Sequence, residues 1–374
     1  MFKWELRGAT KVAIIQKNQR LLSVDAFRGL TIALMILVND PGSWGHVYAP
    51  LKHAEWHGIT PTDLVFPFFL FIVGISITLS LSKTLDNKSG LTEVRRKIYV
   101  RAIKIFALGL LLGLLPLFDF TNIRWLGVLQ RIAVVYFICA MLFMQDNKKL
   151  EIRAFVALLV GYWLAMILVP VPGIGAASLE PASNLSNWID SEFLPGKLWR
   201  GTWDPEGLLS TLPAISSGIS GLFVGRLLLS DWPRRKQFKW LFWAGIIAMF
   251  AGLTWDIFFP INKNLWTSSY VLFTSGCAAI VLSLLIYLMD VKNIQKGFGF
   301  AIIFGSNAIT LYALSYVLMF VLDHGLGVRQ MAFEALLDLG FVPEFASLMW
   351  ATGFTALCFI PALILYRKKI FIKL

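Results

Sequence analysis

Long apolar stretches alternate with short polar ones along almost the whole chain. The apolar runs fall near 21–38, 62–82, 98–117, 124–144, 152–170, 206–228, 238–258, 267–289, 298–320 and 345–366. Each is about 17–24 residues, the length a helix needs to cross a hydrocarbon core roughly 30 Å thick. Backbone polar groups in such a core must be satisfied within the segment, so runs of this length predict helices. The pattern predicts an all-α integral membrane protein, a single bundle of about ten transmembrane helices. The bundle domain spans 21–366, between an N-terminal tail (1–20) and a C-terminal tail (367–374). Two polar stretches differ from the other connections. One, 39–61, holds three histidines; the other, 171–205, is the longest loop and carries Trp188, Trp199 and Trp203.

Composition agrees with this class. Charged residues make up 15% of the 374, against about 25% in a soluble domain, and mean hydropathy is +0.70. In a soluble chain a net charge of +12 would point to nucleic acid. Here the basic residues cluster in alternate loops, so no nucleic-acid partner is expected and the lipid bilayer takes that place. Of 34 Lys and Arg, twenty-four lie in the two tails and in or beside the loops after even-numbered spans, and six in or beside the opposite loops. The positive-inside rule then puts both termini in the cytoplasm and the histidine loop outside. Cys139, Cys277 and Cys358 all fall in apolar runs and offer no disulfide framework. The first 20 residues lack the apolar run of a cleaved signal peptide.

The remaining four basic residues, Arg28, Arg101, Lys104 and Arg131, lie further inside predicted spans. A charge at mid-membrane costs at least about 2.5 kcal/mol and usually faces the bundle interior. Asp25 and Arg28 are three apart and can pair on one helix face. Arg131, beside Gln130, is too deep to reach the surface easily, so an internal carboxylate such as Asp25 or Asp256, or a ligand anion, is expected against it. At the outer face the titratable groups are His46, His53, His57 and His324, with Asp204, Glu206 and the Asn262-Lys263-Asn264 turn. Asp204-Pro205-Glu206 reads equally as a helix start or as a substrate contact. The GxxxG spacings Gly109/Gly113 and Gly221/Gly225 predict close helix approach, and Asn307 reads as a polar bridge between helices.

The stretch KHAEWHGITPTDLVFPFFLFIVGISI, residues 52–77, resembles the catalytic region of the heparan-α-glucosaminide N-acetyltransferase family. RLLSVDAFRGL (20–30), VND (38–40), GVLQRIAVVYF (127–137), WDPEGLLSTLPAI (203–215) and NKNLWTSSYVL (262–272) resemble further blocks in the same order. The SVDAFRG portion alone is shared with other membrane acyltransferases. The resemblance implies a minimal ten-span catalytic unit, without the luminal domain of the eukaryotic enzymes, in a bacterial-type cell inner membrane. It implies transfer of acetyl from cytoplasmic acetyl-CoA, as cosubstrate, to the amine of a glucosamine-type sugar outside. His53 matches the family's catalytic histidine and Asn39 the nearby asparagine. The expected acceptor is a small amino sugar or an envelope glycan, and a homodimer is one compatible assembly.

The residue types fit that chemistry. An amine attacking a thioester must lose a proton, and histidine, with a reference pKa near 6.5, is suited to take it. Asn39 can donate to the tetrahedral oxyanion. Asp40 or Asp63 can orient the imidazole. Arg28, Arg101, Lys104, Gln130 and Arg131 are candidates to follow the CoA phosphates and pantetheine. Trp44, Trp56, His57, Asp204, Glu206, Asn262, Lys263 and Asn264 are candidates for the acceptor. Direct transfer and an acetyl-histidine intermediate both remain open. A metal site is not expected: His53 and His57 would share a helix face, but HAEWH is not HExxH. The alternative function is a multispanning transporter of an amino sugar or a related small solute, although no internal repeat supports it.

Overall fold

A computed structural model describes residues 21–87, 90–115, 120 and 122–372. The predicted N-terminal tail lies outside the described residues. The described chain is helical, with one isolated bridge between Arg124 and Gly196. Its helices are α1 (Leu22–Asn39), α2 (Val65–Asn87), α3 (Leu91–Leu114), α4 (Val128–Phe143), α5 (Lys148–Leu168), α6 (Leu185–Phe193) and α7 (Thr211–Leu228). There follow α8 (Arg234–Asp256), α9 (Ser268–Leu285), α10 (Gly299–Ser306), α11 (Ala308–Phe320), α12 (Val328–Asp338) and α13 (Pro343–Arg367).

Eight segments among the described residues are long and apolar enough to cross a membrane, and they make this an integral multi-pass membrane protein. They are Leu22–Asn39, Pro61–Leu85, Lys148–Leu168, Thr211–Leu228, Arg234–Asp256, Ser268–Val291, Ala308–Gly325 and Pro343–Arg367. The third and fourth predicted spans fall short of that standard for physical reasons. α3 carries Glu93, Arg95, Arg96, Lys97, Arg101 and Lys104 between its start and a little past its middle. α4 has 16 residues, a length of about 24 Å.

The ninth predicted span is not one helix. It breaks at Asn307, where φ −135° and ψ 45° leave the helical region. The freed polarity is satisfied by the end of the chain. Asn307 Nδ2 donates to the Ile370 carbonyl at 2.9 Å, and the Ile372 amide donates to Asn307 Oδ1 at 2.8 Å. Asn307 therefore bridges a helix break and the C-terminal segment, rather than two helices.

Close helix contacts are built at glycines. A Cβ on Gly221 of α7 would overlap the Phe71 carbonyl of α2, and one on Gly74 would overlap the Gly218 carbonyl. Gly225 meets Thr78 in the same seam, whereas Gly113 meets nothing. Gly29 of α1 and Gly305 of α10 approach in the same way, against the carbonyls of Ala301 and Asp25. Only residues without a side chain allow backbones this near, and the dispersion contacts made there substitute for the hydrophobic effect that lipid removes. The α1–α10 contact also sets the depth of Arg28, whose guanidinium donates to the Gly305 carbonyl at 3.3 Å.

Two connections at the histidine end of the bundle contain helical turns of their own. The 171–205 stretch contains α6, capped by Asn184, whose Oδ1 accepts from the Asn187 amide at 2.9 Å. Asp204-Pro205 does not start a helix; α7 begins at Thr211. The first histidine loop, 40–60, holds only a short 3₁₀ turn at Ala49–Leu51, so His53 and His57 do not share a helix face.

Candidate active site

The site begins with a local turn. Thr60, Pro61 and Asp63 form a capping box that opens the helical segment leading into α2. Asp63 Oδ2 accepts from the Thr60 amide at 3.0 Å, the Thr60 hydroxyl at 3.0 Å and the Ala54 amide at 3.1 Å. Its other oxygen, Oδ1, lies 2.7 Å from His53 Nδ1. Asp63 is fully buried, while the His53 side chain is 40% exposed. Burial raises the Asp63 carboxyl, but His53, Lys263 and the two backbone amides outweigh it and hold it below the usual carboxylate range, so the carboxylate is the form that fits. Nδ1 of His53 must then carry a hydrogen, which leaves Nε2 with a free lone pair. Tyr270 of α9 donates its hydroxyl to the Asp63 carbonyl at 2.5 Å and anchors the turn to the bundle.

The turn 262–267 closes on this pair from the other half of the chain. Gly58 donates its amide to the Ile261 carbonyl at 2.8 Å. Lys263 Nζ lies 3.0 Å from His53 Nδ1, 3.1 Å from Nε2 and 3.7 Å from Asp63 Oδ1. Nearly equal distances to both ring nitrogens mean that the amine is in line with neither lone pair. Burial pushes the Lys263 ammonium below its ordinary pKa, and the charges of Asp63 and Glu206 pull it part of the way back.

Asn262 and Trp266 fix that turn. Asn262 Oδ1 accepts from the Leu265 amide at 2.9 Å, and its amide donates to Thr267 Oγ1 at 3.0 Å. Trp266 has φ +53°, the left-handed region, which costs a residue with a side chain about 1–2 kcal/mol. Burial to 1% exposure and a hydrogen bond from Nε1 to Ser217 Oγ at 3.1 Å offset that cost. The turn is therefore held against its own backbone preference, and Lys263 is placed with it.

A second polar cluster lies beside the first. Arg124 grips Asp204 with two hydrogen bonds of 2.7 Å and reaches Glu206 at 2.5 Å. Burial raises the Asp204 carboxyl, but Arg124 outweighs it and holds the group below the usual carboxylate range. Asp190 of α6 accepts from the Leu208 amide at 2.9 Å. Its carboxyl is pushed up to about 7 by burial, against the pull of the Leu208 and Asp204 amides. Trp56 joins this cluster to the histidine loop: its indole donates to the Leu179 carbonyl at 3.0 Å and packs edge-on against Trp203 at 5.1 Å. His57 lies 3.4 Å from Asn262 Nδ2 and 3.7 Å from Glu180.

The other expected residues lie elsewhere. Asn39 is exposed at the last turn of α1, and no hydrogen bond between it and His53 is found among the described residues. Asp40 has no hydrogen bond to the imidazole among the described residues; burial pushes its carboxyl up to about 7 against the pull of the Arg329 charge. Trp44 is exposed in a loop tied to α13 through the Gly42 amide and Ser347 carbonyl, 3.2 Å apart. Asn264 is half-buried in the 262–267 turn.

The basic residues in the bundle divide into three groups. Arg28 and Arg101 line a cavity of about 170 Å³, with Ser76, Tyr136, Asn307 and Ile372 also in its wall. Arg28 NH2 donates to Ser76 Oγ at 2.7 Å and NH1 to Asp25 at 3.1 Å. Arg101 lies 4.8 Å over the Tyr136 ring. Lys104 is exposed on the outside of α3. Gln130 and Arg131 are not among the residues of the cavity wall. Gln130 fills the α3–α4 seam at Gly109. Arg131 is buried, donates to Ser210 Oγ and to the Gly207 carbonyl, and lies 5.1 Å over Trp266. It meets neither Asp25 nor Asp256 among its hydrogen-bond and ion-pair partners. The anions nearest it electrically are Glu206, Asp204 and Asp190.

Thr60, Tyr270 and Arg124 were not among the expected site residues. Thr60 was legible as the first position of a T-x-x-D capping box. Tyr270 and Arg124 act across 207 and 80 positions of sequence, a separation that carries no local signal.

Comparison with known proteins agrees with this arrangement of blocks. The family model described as "Heparan-alpha-glucosaminide N-acetyltransferase, catalytic" matches residues 20–259. The chain belongs to this family. The human heparan-alpha-glucosaminide N-acetyltransferase is 30% identical over 413 residues, covering 95% of this chain and 60% of the human protein. The mouse protein of the same name is 30% identical over 415 residues, with the same coverage. The chain thus spans about three fifths of the length of these relatives. The family match includes His53, Asp63, Arg124 and Asp204 and stops short of Lys263.

Proposed function

We propose that the protein is a transmembrane acyltransferase that moves acetyl from cytoplasmic acetyl-CoA to the amine of a glucosamine-type sugar at the outer face. The observation that carries this reading is the His53–Asp63 pair, 2.7 Å apart on a buried carboxylate at the histidine end of a membrane bundle. In this reading α3 and α4 also cross the membrane, which gives ten spans with both termini cytoplasmic and the histidine loop outside.

The bound thioester supplies the acetyl group and the leaving sulfur. His53 Nε2 takes the proton from the attacking amine, while Nδ1–H stays on Asp63. Asp63 fixes the tautomer and stabilises the imidazolium as it forms, the role a buried carboxylate has in hydrolase triads. A positioned base of this kind is worth roughly 10²–10⁴ in rate. Asn39, at the end of α1, donates its amide to the developing oxyanion when the site is filled. Arg28 and Arg101, in the cavity wall, contact the phosphates of CoA; guanidinium suits that task because its planar fork meets phosphate oxygens in pairs. Trp56 and His57 offer a flat apolar face and a polar edge to a sugar ring.

The test is acetyl transfer in sealed, oriented vesicles, with labelled acetyl-CoA on the cytoplasmic side and glucosamine on the other. Labelled N-acetylglucosamine outside, abolished by His53→Ala, is the expected result. Product formed equally by His53→Ala overturns the assignment of the base. The absence of both product and acetyl-CoA binding overturns the activity.

A further inference from the structure

We propose that Lys263 is itself an acetyl acceptor: without an amino sugar, the site acetylates its own lysine. The inference rests on the reading of His53 as the base of acetyl transfer and extends it to a modification of the chain.

The geometry that motivates it is the position of one amine. Lys263 Nζ is 3.0 and 3.1 Å from the two nitrogens of His53. That is the distance at which a reacting amine must stand from a base that is to take its proton. A terminal amine on a flexible four-carbon stem thus rests within reach of Nε2, and a rotation of that stem aligns it with the lone pair that the acceptor amine has to meet. Its stem is mostly covered, with 18% of the side chain exposed, while the imidazole beside it is 40% exposed. The 262–267 turn is locked by Asn262 and Trp266, so the amine returns to this place whenever no acceptor fills it. Burial also favours the neutral, nucleophilic form of the amine. Lys52, adjacent to His53 in sequence, is exposed and serves as an internal reference.

The step balances with the donor alone. The neutral Nζ attacks the acetyl carbonyl carbon, and the N–C bond forms as the C–S bond breaks. His53 Nε2 removes the proton from the nitrogen and returns it to the departing thiolate. One acetyl-CoA yields one acetamide on Lys263 and one free CoA thiol. An amide nitrogen is a poor leaving group, so the product is a dead end, not an intermediate. It removes the Lys263 charge and leaves a larger group beside His53. Donor without acceptor would then silence the enzyme, and acceptor would protect it.

The test uses the full chain in detergent or nanodiscs, incubated with acetyl-CoA with and without glucosamine, followed by peptide mass mapping. In parallel, N-acetylglucosamine is measured in the samples that contain glucosamine. The expected result is acetylation of Lys263 approaching one per chain, ahead of Lys52 and Lys197, and slowed at least several-fold by glucosamine. In His53→Ala and His53→Gln the rate at Lys263 falls about 10²-fold or more. If glucosamine is acetylated while Lys263 stays unmodified, the inference fails and the proposed function stands. If neither is acetylated, both fail. Acetylation of Lys263 at the same rate in the His53 variants, or no faster than at Lys52, marks simple chemical labelling and overturns the inference.

Discussion

Asp63 holds His53 through one oxygen and holds the turn that carries His53 through the other. Oδ1 is 2.7 Å from Nδ1, and Oδ2 accepts from Ala54 and twice from Thr60. One carboxylate therefore sets both the tautomer of the imidazole and the position of the loop. Asp63→Asn keeps the shape but not the charge, and its NH₂ group would face donors. Acetyl-transfer rates are expected to fall about 10²–10⁴-fold. Because the two residues act as a unit, Asp63→Asn with His53→Ala should be no slower than His53→Ala alone. Multiplying losses in initial-rate measurements would show that the pair does not act together.

The basic residues of α3 should separate cleanly. Arg101 lines the cavity and Lys104 faces outward. A charge-assisted contact contributes roughly 1.5–3 kcal/mol, about 10–100-fold in affinity. Arg101→Glu should raise the KM for acetyl-CoA by at least that factor, with Lys104→Glu within about twofold of the parent. Equal effects at both positions would point to the surface potential of the helix rather than to the cavity.

Asp190 gives a pH test of α6. Its carboxyl is pushed up to about 7 by burial, while an unfolded aspartate titrates near 3.9. Between those values the native chain keeps a proton that the unfolded chain has lost. Stability from this group is thus fully present below about pH 4 and declines as pH rises toward 7, by up to about 1.4 kcal/mol per unit. Asp190→Asn cannot titrate. The stability of the parent minus that of the variant, measured by thermal melts in one detergent, should fall from pH 4 to 7 and then level off. A flat difference would contradict the raised carboxyl.

Two glycines in similar sequence patterns should respond in opposite ways. Gly221→Ala pushes a methyl group into the Phe71 carbonyl of α2, and overpacking of this kind costs about 1–3 kcal/mol or more. Gly113→Ala meets open space and gains helix propensity, up to about 1 kcal/mol. The expected readouts are a lower melting temperature and a lower yield of monodisperse protein for the first, and an unchanged or higher melting temperature for the second.

Local features of the sequence carried most of what could be read in advance. Apolar runs marked the helices because the bilayer leaves the backbone no other solution. His53 and Asp63 could be named together because ten residues and one capping box separate them. Partners across long stretches were less legible. Arg124 with Asp204 and Glu206, and Tyr270 with the Asp63 carbonyl, follow from how the helices assemble and not from spacing. Arg131 looked like a cavity residue because it is a deep charge, yet its guanidinium lies against the Gly207–Ser210 segment. The break at Asn307 was hidden because hydropathy averages over a window, and one asparagine scarcely alters the mean of twenty apolar residues.

That asparagine has a mechanical consequence. Its amide holds Ile370 and Ile372, and Ile372 forms part of the wall of the chamber that contains Arg28 and Arg101. The 370–372 segment is thus a panel of the chamber. A tether, a fused reporter or a neighbouring protein that tugs on it would work like a bell-pull, moving a wall whose residues, among those described, include none from the histidine loop.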